Sequence, residues 1–300
     1  ILLIFCIFCS ILSGCAPGSK SSSSEPPVYS PLRVLVPEAP GSDTLGSSPL
    51  TLDVSNITQG YFVAQSDSAD LVTSLQITAP TGVLYAYFID PGENAVIPFT
   101  EGNGDYTVVG YQQIQGDQYA ALYSEILTVE LENDFLPFLY PNQYVNFSPD
   151  SEASKLALSM VSEDTTDVDA LKQIYNYVVN NLTYDYDKAE TVETGYLPDV
   201  DETLSTKTGI CFDYAALTTA MLRSCDIPCK LQIGYTGDIK HAWIDVYIRS
   251  KGWVTGAVSF NGDSWSLMDP TFDSSADSDD TEAIQDYIGN ADNYTVQFTR

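Results

Sequence analysis

One histidine occurs in the 300 residues, His241. Any cysteine–histidine chemistry in this chain must use it as the base. Cys211 precedes it in the stretch TKTGICFDYAALTTAMLRS, and Asp269 follows it in WSLMDPT. The order is thiol, imidazole, carboxylate. A thiolate is the nucleophile, and a free cysteine holds little of it near neutral pH. A helix N-terminus offers unpaired N–H groups and a partial positive charge that favour the thiolate. An imidazole within reach takes the thiol proton and later returns it to a leaving amine. A carboxylate on the far ring nitrogen fixes its tautomer. The same N–H groups can hold an oxyanion, and Gly209 lets the backbone turn tightly and a substrate approach. The chemistry is acyl transfer from an amide through a thioester. Each residue taken singly has a plainer use: a packed apolar cysteine, a structural strand histidine, an Asp before Pro capping a turn. Their order, the glycine and the single histidine together favour catalysis.

The surrounding motifs carry a resemblance. Thr208-Gly-Ile-Cys-Phe-Asp-Tyr-Ala, Met221-Leu-Arg-Ser-Cys-Asp-Ile-Pro-Cys-Lys, Gly234-Tyr235, His241-Ala-Trp and Trp265-Ser-Leu-Met-Asp-Pro-Thr occur in that order. They resemble the bacterial transglutaminase-like domain, whose superfamily is related in core to papain-type cysteine proteases. The likeness covers roughly residues 150 to 275. It implies an α+β, papain-like fold with Cys211 as nucleophile, His241 as base and Asp269 as orienting acid. It also implies an upstream aromatic oxyanion donor, at Tyr184 in Leu182-Thr-Tyr-Asp, with Tyr186 as near. The implied activity is a cysteine acyltransferase or peptidase that needs no cofactor and no metal. An amine acceptor gives cross-linking, water gives hydrolysis, and the triad serves both. The alternative is a catalytically silent domain that binds proteins at a cell surface. The family usually reads Gly-Ile-Pro-Ala-Arg where this chain has Asp226-Ile-Pro-Cys-Lys. Cys225 and Cys229 flank that turn, as a short-loop disulfide or as buried thiols; burial is the favoured reading. Two cysteines and one distant histidine are too few ligands for a metal.

Periodicity supplies the elements that must position these groups. Ser151–Ser162 reads as a short helix. Val168, Leu171, Ile174, Tyr175, Val178 and Leu182 recur at helical spacing, with Asp167 as a cap. Thr183-Tyr-Asp-Tyr-Asp comes next, followed by an acidic loop to about Glu202. In the helix headed by Cys211, Tyr214, Leu217, Thr218, Met221 and Leu222 share a face, and Pro228 ends the segment. Lys230–Tyr235 alternates as a strand. In His241–Ile248, His241, Trp243, Asp245 and Tyr247 face one way and Ala242, Ile244, Val246 and Ile248 the other. Trp253–Phe260 and Ser264–Met268 flank Asn261-Gly262, a hairpin turn signal. Asp273–Asp280 lacks calcium-loop spacing and reads as a solvated loop into a helix at Glu282–Ile288. Tyr294–Phe298 reads as a strand that closes a sheet edge.

Residues 32–136 are different. Short runs rich in β-branched and aromatic residues alternate with turn clusters such as Asp90-Pro-Gly-Glu. They read as an all-β, Ig-like sandwich, with Tyr106 as a corner tyrosine before a strand. Residues 137–300 form the second domain. At the start, the apolar run Ile1–Leu12 is too short to span a bilayer and matches a secretory h-region. It ends in Leu12-Ser-Gly-Cys15, which resembles the bacterial lipobox; the resemblance implies lipid on Cys15 and removal of what precedes it. Residues 16–31, Ser- and Pro-rich, read as a flexible tether. The expected setting is extracytoplasmic, anchored to the bacterial cell membrane, with protein or peptide substrates that include wall-associated ones. Against 41 acidic residues stand 12 basic ones, a net charge of -29. Such a surface repels phosphate backbones and argues against nucleic-acid binding.

Overall fold

The computed structural model describes residues 33–255, 258–260, 265–267 and 294–300. Cys15, the tether, Asp269, Asp273–Asp280 and Glu282–Ile288 lie outside the described residues.

The first unit is built from β1 (Thr44–Ser47), β2 (Leu50–Asp53), β3 (Tyr61–Ser66), β4 (Thr73–Thr78), β5 (Leu84–Ile89), β6 (Asn94–Pro98), β7 (Gly104–Gln115) and β8 (Gln118–Val129). They form two four-stranded antiparallel sheets, in the orders β1-β2-β3-β6 and β5-β4-β7-β8. Alternating residues of both sheets meet in one core: Leu52, Phe62 and Ile97 from the first, and Leu75, Tyr87, Val108 and Leu127 from the second. That is sheet-on-sheet packing, each strand giving every second side chain to the interior. Tyr106 lies within β7 rather than before it. Its hydroxyl donates to the Gly102 carbonyl, four residues upstream, at 2.8 Å.

The second unit starts with α1 (Glu152–Met160) and α2 (Asp167–Asn181). Thr166, not Asp167, caps α2, its side chain accepting from the Asp169 amide. Asp167 is the first helical residue, and its carboxylate instead accepts from the Arg249 amide and pairs with the Arg249 guanidinium. Thr183-Tyr-Asp-Tyr-Asp holds β9 (Thr183–Tyr184), and the stretch read as an acidic loop holds most of α3 (Tyr186–Thr191) and the start of α4 (Val200–Thr206). Both helices start on an aspartate cap. Asp185 accepts from the Lys188 amide, and Asp199 accepts from the Asp201 and Glu202 amides. The helices are too short to show periodicity, so their caps are the only sequence signal for them.

Next come β10 (Thr208–Gly209), α5 (Cys211–Ser224), β11 (Cys229–Thr236), β12 (Ile239–Ile248) and β13 (Gly252–Val254). β14 (Val258–Phe260) pairs antiparallel with β15 (Trp265–Leu267), Phe260 opposite Trp265. The expected strand Trp253–Phe260 is thus two: β13 joins β12, and β14 makes the hairpin. β16 (Tyr294–Thr299) lies antiparallel on β11, giving a sheet in the order β13-β12-β11-β16. α5 packs on one face of that sheet. Cys229, Leu231, Ala242, Ile244 and Val246 share its core with Tyr214, Leu217, Met221 and Leu222, while Leu171 and Ile174 of α2 and Ala153 and Ala157 of α1 complete the enclosure. From Tyr214 to Ser224 every residue of α5 is buried. The sequence showed one apolar face; the structure buries all sides, and the small residues Ala215, Ala216 and Ala220 make that close packing possible.

The two units touch closely. The connector after β8 lays Phe135 against Tyr247 and Phe138 edge-on to Trp253. Phe298 of β16 meets Tyr85, and Arg300 enters a cage of Tyr85, Tyr87 and Tyr144, donating to the Tyr87 hydroxyl at 2.6 Å.

At the C-terminal end of α5, Arg223 is buried. Its guanidinium donates to the carbonyls of Cys229 at 2.8 and 3.0 Å, of Arg300 at 2.8 Å and of Tyr140 at 2.7 Å. Burial lowers its pKa to about 10, still far above neutrality. One cation thus joins α5 to β11, to the residue after β16 and to the connector. Arg223→Met leaves these carbonyls short of a donor and is expected to cost about 3 kcal/mol. Urea unfolding checks it: the midpoint should fall with the slope unchanged.

Candidate active site

Cys211, Asp213, Tyr184 and Lys188 lie at the N-terminal end of α5. β9 and β10 pair in parallel, with Tyr184 opposite Gly209. The pairing is tightened by Thr183 N–H donating to the Lys207 carbonyl and Asp185 N–H donating to the Gly209 carbonyl, both at 2.9 Å. Tyr184 therefore stands beside the residues that lead directly into Cys211. Its ring packs edge-on against Tyr186 and tilted against Tyr214.

Cys211 is the first residue of α5, half-buried, with a free thiol. The first helical bond runs from the Tyr214 amide to the Ile210 carbonyl. The amides of Cys211, Phe212 and Asp213 thus precede the i→i−4 ladder and have no acceptor within it. The N-cap is Ile210, whose side chain can accept nothing. The capping is done in reverse: Asp213, fully buried at the third position of the helix, accepts from the Ile210 amide at 2.8 Å.

Gly209 has a different role from the one expected. A Cβ there would lie 2.6 Å from the Asp213 Cβ. The glycine makes room for the buried carboxylate. The same carboxylate accepts from Lys188 Nζ at 2.8 Å and from the Tyr196 hydroxyl, and Lys188 also donates to Tyr196 at 2.7 Å. Burial pushes the Tyr196 phenol up to about 12, and the hydrogen bond to Asp213 adds to the shift. Burial works against the Lys188 ammonium, yet its bonds to Asp213 and Tyr196 leave its pKa raised. This cluster was missed from sequence. The one available signal was an Asp three residues after the N-cap, the acidic half of a capping box.

His241 lies on β12 opposite Gly234 of β11 and is buried. The alternation along β12 is as expected. Ala242, Ile244, Val246 and Ile248 enter the core shared with α5, and the His241 ring stacks on Trp243 with centroids 6.2 Å apart. Tyr294 of β16 adds a third ring. Gly234 is required here, because a Cβ would lie 2.0 Å from the Thr295 carbonyl oxygen. Asp245, on the same strand, accepts from Gln232 Nε2 at 2.7 Å. Asp269 lies outside the described residues.

Cys225 and Cys229 are free and buried. Burial pushes both thiols up to about 12, and Cys229 donates to the Thr219 hydroxyl. Among the described residues no group of His, Cys, Asp and Glu could hold a metal ion. A groove of about 810 Å³ opens where β6, the connector and α4 meet, lined by Glu93, Asn142, Ser151 and Asp201 among others. Its lining includes none of Tyr184, Cys211 and His241.

Residues 154–256 match the family model of the transglutaminase-like superfamily. Uncharacterized protein YebA of Bacillus subtilis is 24% identical over 183 residues, which cover 53% of this chain and 25% of that protein. UPF0252 protein MJ1282 of Methanocaldococcus jannaschii is 40% identical over 62 residues, covering 19% of this chain and 18% of that protein. The chain thus spans a quarter or less of the length of these curated relatives. A solved structure named a "putative cysteine protease" from Cytophaga hutchinsonii aligns with 80% of this chain and 79% of its own, at 18% identity and a TM-score of 0.40.

Two predictions follow from the geometry. Gly209→Ala drives a methyl into Asp213 and is expected to cost about 2 kcal/mol, read as a lowered thermal midpoint. For the buried thiols, the folded pKa lies above the ordinary value of 9.0. Their contribution to stability is whole below about 9 and is lost as pH rises from there toward about 12. Peptide mapping after alkylation at pH 8 should find Cys211 modified, with Cys225 and Cys229 modified only after unfolding.

Proposed function

We propose that the transglutaminase-like domain at residues 154–256 serves a cysteine enzyme that acts on peptide or side-chain amides through a thioester. Cys211 is the nucleophile, His241 the general base and acid, and Asp269, beyond the matched span, the orienting carboxylate. The observation that carries the reading is the setting of Cys211 within that span. It heads a helix whose first three amides precede the backbone ladder. In the first half-reaction the Cys211 sulfur attacks the amide carbon. The carbonyl oxygen takes up negative charge facing the helix-start amides and the Tyr184 hydroxyl, beside β10. Collapse breaks the C–N bond, and the imidazolium gives its proton to the leaving amine. The second half-reaction passes the acyl group to an amine or to water, and His241 removes that acceptor's proton.

The proposed setting is outside the cytoplasm, with lipid on Cys15 holding the protein at a bacterial membrane. The sandwich, with Tyr106 as its proposed corner tyrosine, is read as an Ig-like spacer that holds the enzyme toward peptide or protein substrates, wall-associated ones included.

The test is labelling of Cys211 by iodoacetamide across pH, wild type against His241→Ala. The expected result is a neutral-pH rate at least tenfold faster in the wild type. Equal rates would sink the activated-thiolate reading. Mass spectrometry of a glutamine-containing peptide incubated with enzyme and a primary amine then separates amine incorporation from hydrolysis.

A further inference from the structure

We infer that Lys188 is a positioning residue for Cys211: it balances the buried Asp213 carboxylate that caps α5, so that the helix terminus favours a thiolate on Cys211. The inference deepens the proposed function and rests on it.

The problem arises from the cap. Ile210 at the N-cap cannot accept a hydrogen bond, so the cap comes from Asp213, two residues beyond the nucleophile. That carboxylate is fully buried, and water does not screen it. A buried anion two residues along the chain from a thiol opposes a second anion there. Unbalanced, the group that secures the helix start would cancel the field that makes the start useful.

The structure supplies the balance through a closed circuit of hydrogen bonds. The Gly209 carbonyl accepts from the Asp185 amide at 2.9 Å. The Asp185 carboxylate accepts from the Lys188 amide at 2.9 Å, capping α3. Lys188 Nζ donates to Asp213 Oδ2 at 2.8 Å, and Asp213 Oδ2 accepts from the Ile210 amide at 2.8 Å. The circuit starts and ends on adjacent residues, Gly209 and Ile210, immediately before Cys211. Tyr196 closes the other carboxylate oxygen, and the Lys188 ammonium sits 4.4 Å from the centre of its ring. The circuit carries one cation against Asp213, and the same bonds that deliver it fix the backbone entering the helix. Lys188 lies partly at the surface, where an ion pair alone contributes little to stability. Its value here is the charge it cancels beneath the cysteine.

The experiment is the pH profile of Cys211 alkylation by iodoacetamide. The groups set around this end of α5 are Asp213 on the helix itself, Tyr184 on β9, Asp185 and Lys188 at the start of α3, and Tyr196 in the loop after it. Lys207 stands at the end of α4 and His241 on β12. In Lys188→Met the midpoint should rise by about one pH unit, with the high-pH plateau unchanged. Lys188→Arg should restore most of the shift. In an Asp213→Asn background, Lys188→Met should move the midpoint no further, because no anion remains to balance. A Lys188→Met profile that superimposes on the wild type overturns the inference, as does a lower plateau with an unmoved midpoint. A shift that persists in the Asp213→Asn background also overturns it, since Lys188 would then act without the cap. His241→Ala reads the other reading separately: if its profile matches the wild type, the triad fails whatever Lys188 does.

Discussion

The structure depends on one constraint, a helix with no solvent-facing side. From Tyr214 to Ser224, α5 is enclosed by the β11–β12 face and by α1 and α2, and it cannot rotate or slide without opening the core. Its polar demands therefore fall on its two ends. At one end Asp213 takes the orphan amide of Ile210 and draws in Lys188 and Tyr196. At the other Arg223 donates to carbonyls of β11, the connector and the residue after β16. A buried carboxylate and a buried guanidinium mark the limits of a buried, largely apolar rod. Each is matched by partners from other elements, so each end is also where the fold is tied together.

The two ends divide the work. The Arg223 end is architectural: it joins the sandwich-side connector to the sheet and holds β16 in place. The Asp213 end carries Cys211, and the hydrogen-bonded circuit converges there on residues 209–213. In the proposed reaction, rigidity at the first end would serve precision at the second, since a nucleophile on a fixed helix approaches its substrate along one line.

Much of this was legible in the sequence where a pattern repeats. Alternation along His241–Ile248 named the residues that enter the core, and the period of Val168–Leu182 named α2. The helix headed by Cys211 and the last strand were legible for the same reason. Three features were not. α3 and α4 are each under two and a half turns, too short for a period, and are held by aspartate caps that look like loop acids in a chain so rich in them. The role of Gly209 depends on where the Asp213 side chain lies four residues on, a tertiary fact that a turn-and-approach argument could not reach. Arg223 in a run of apolar residues gave no hint that three separated segments would offer it carbonyls. Of the candidate site, Cys211 heads the expected helix and His241 lies on the expected strand, while Tyr184 is set opposite Gly209 by a two-residue parallel pairing too brief for any pattern to announce.

The placement of the three thiols has a redox consequence. Cys211 opens α5 and Cys225 is its C-cap, about 21 Å apart along a 14-residue helix. A disulfide needs Cα atoms within about 7 Å. Cys225 therefore cannot resolve a sulfenic acid formed on Cys211. Oxidised, Cys211 finds no resolving thiol on its own helix, and it waits for another thiol or proceeds to the sulfinic state. A rigid helix that carries two sulfurs at its opposite ends leaves each to meet oxidants apart from the other.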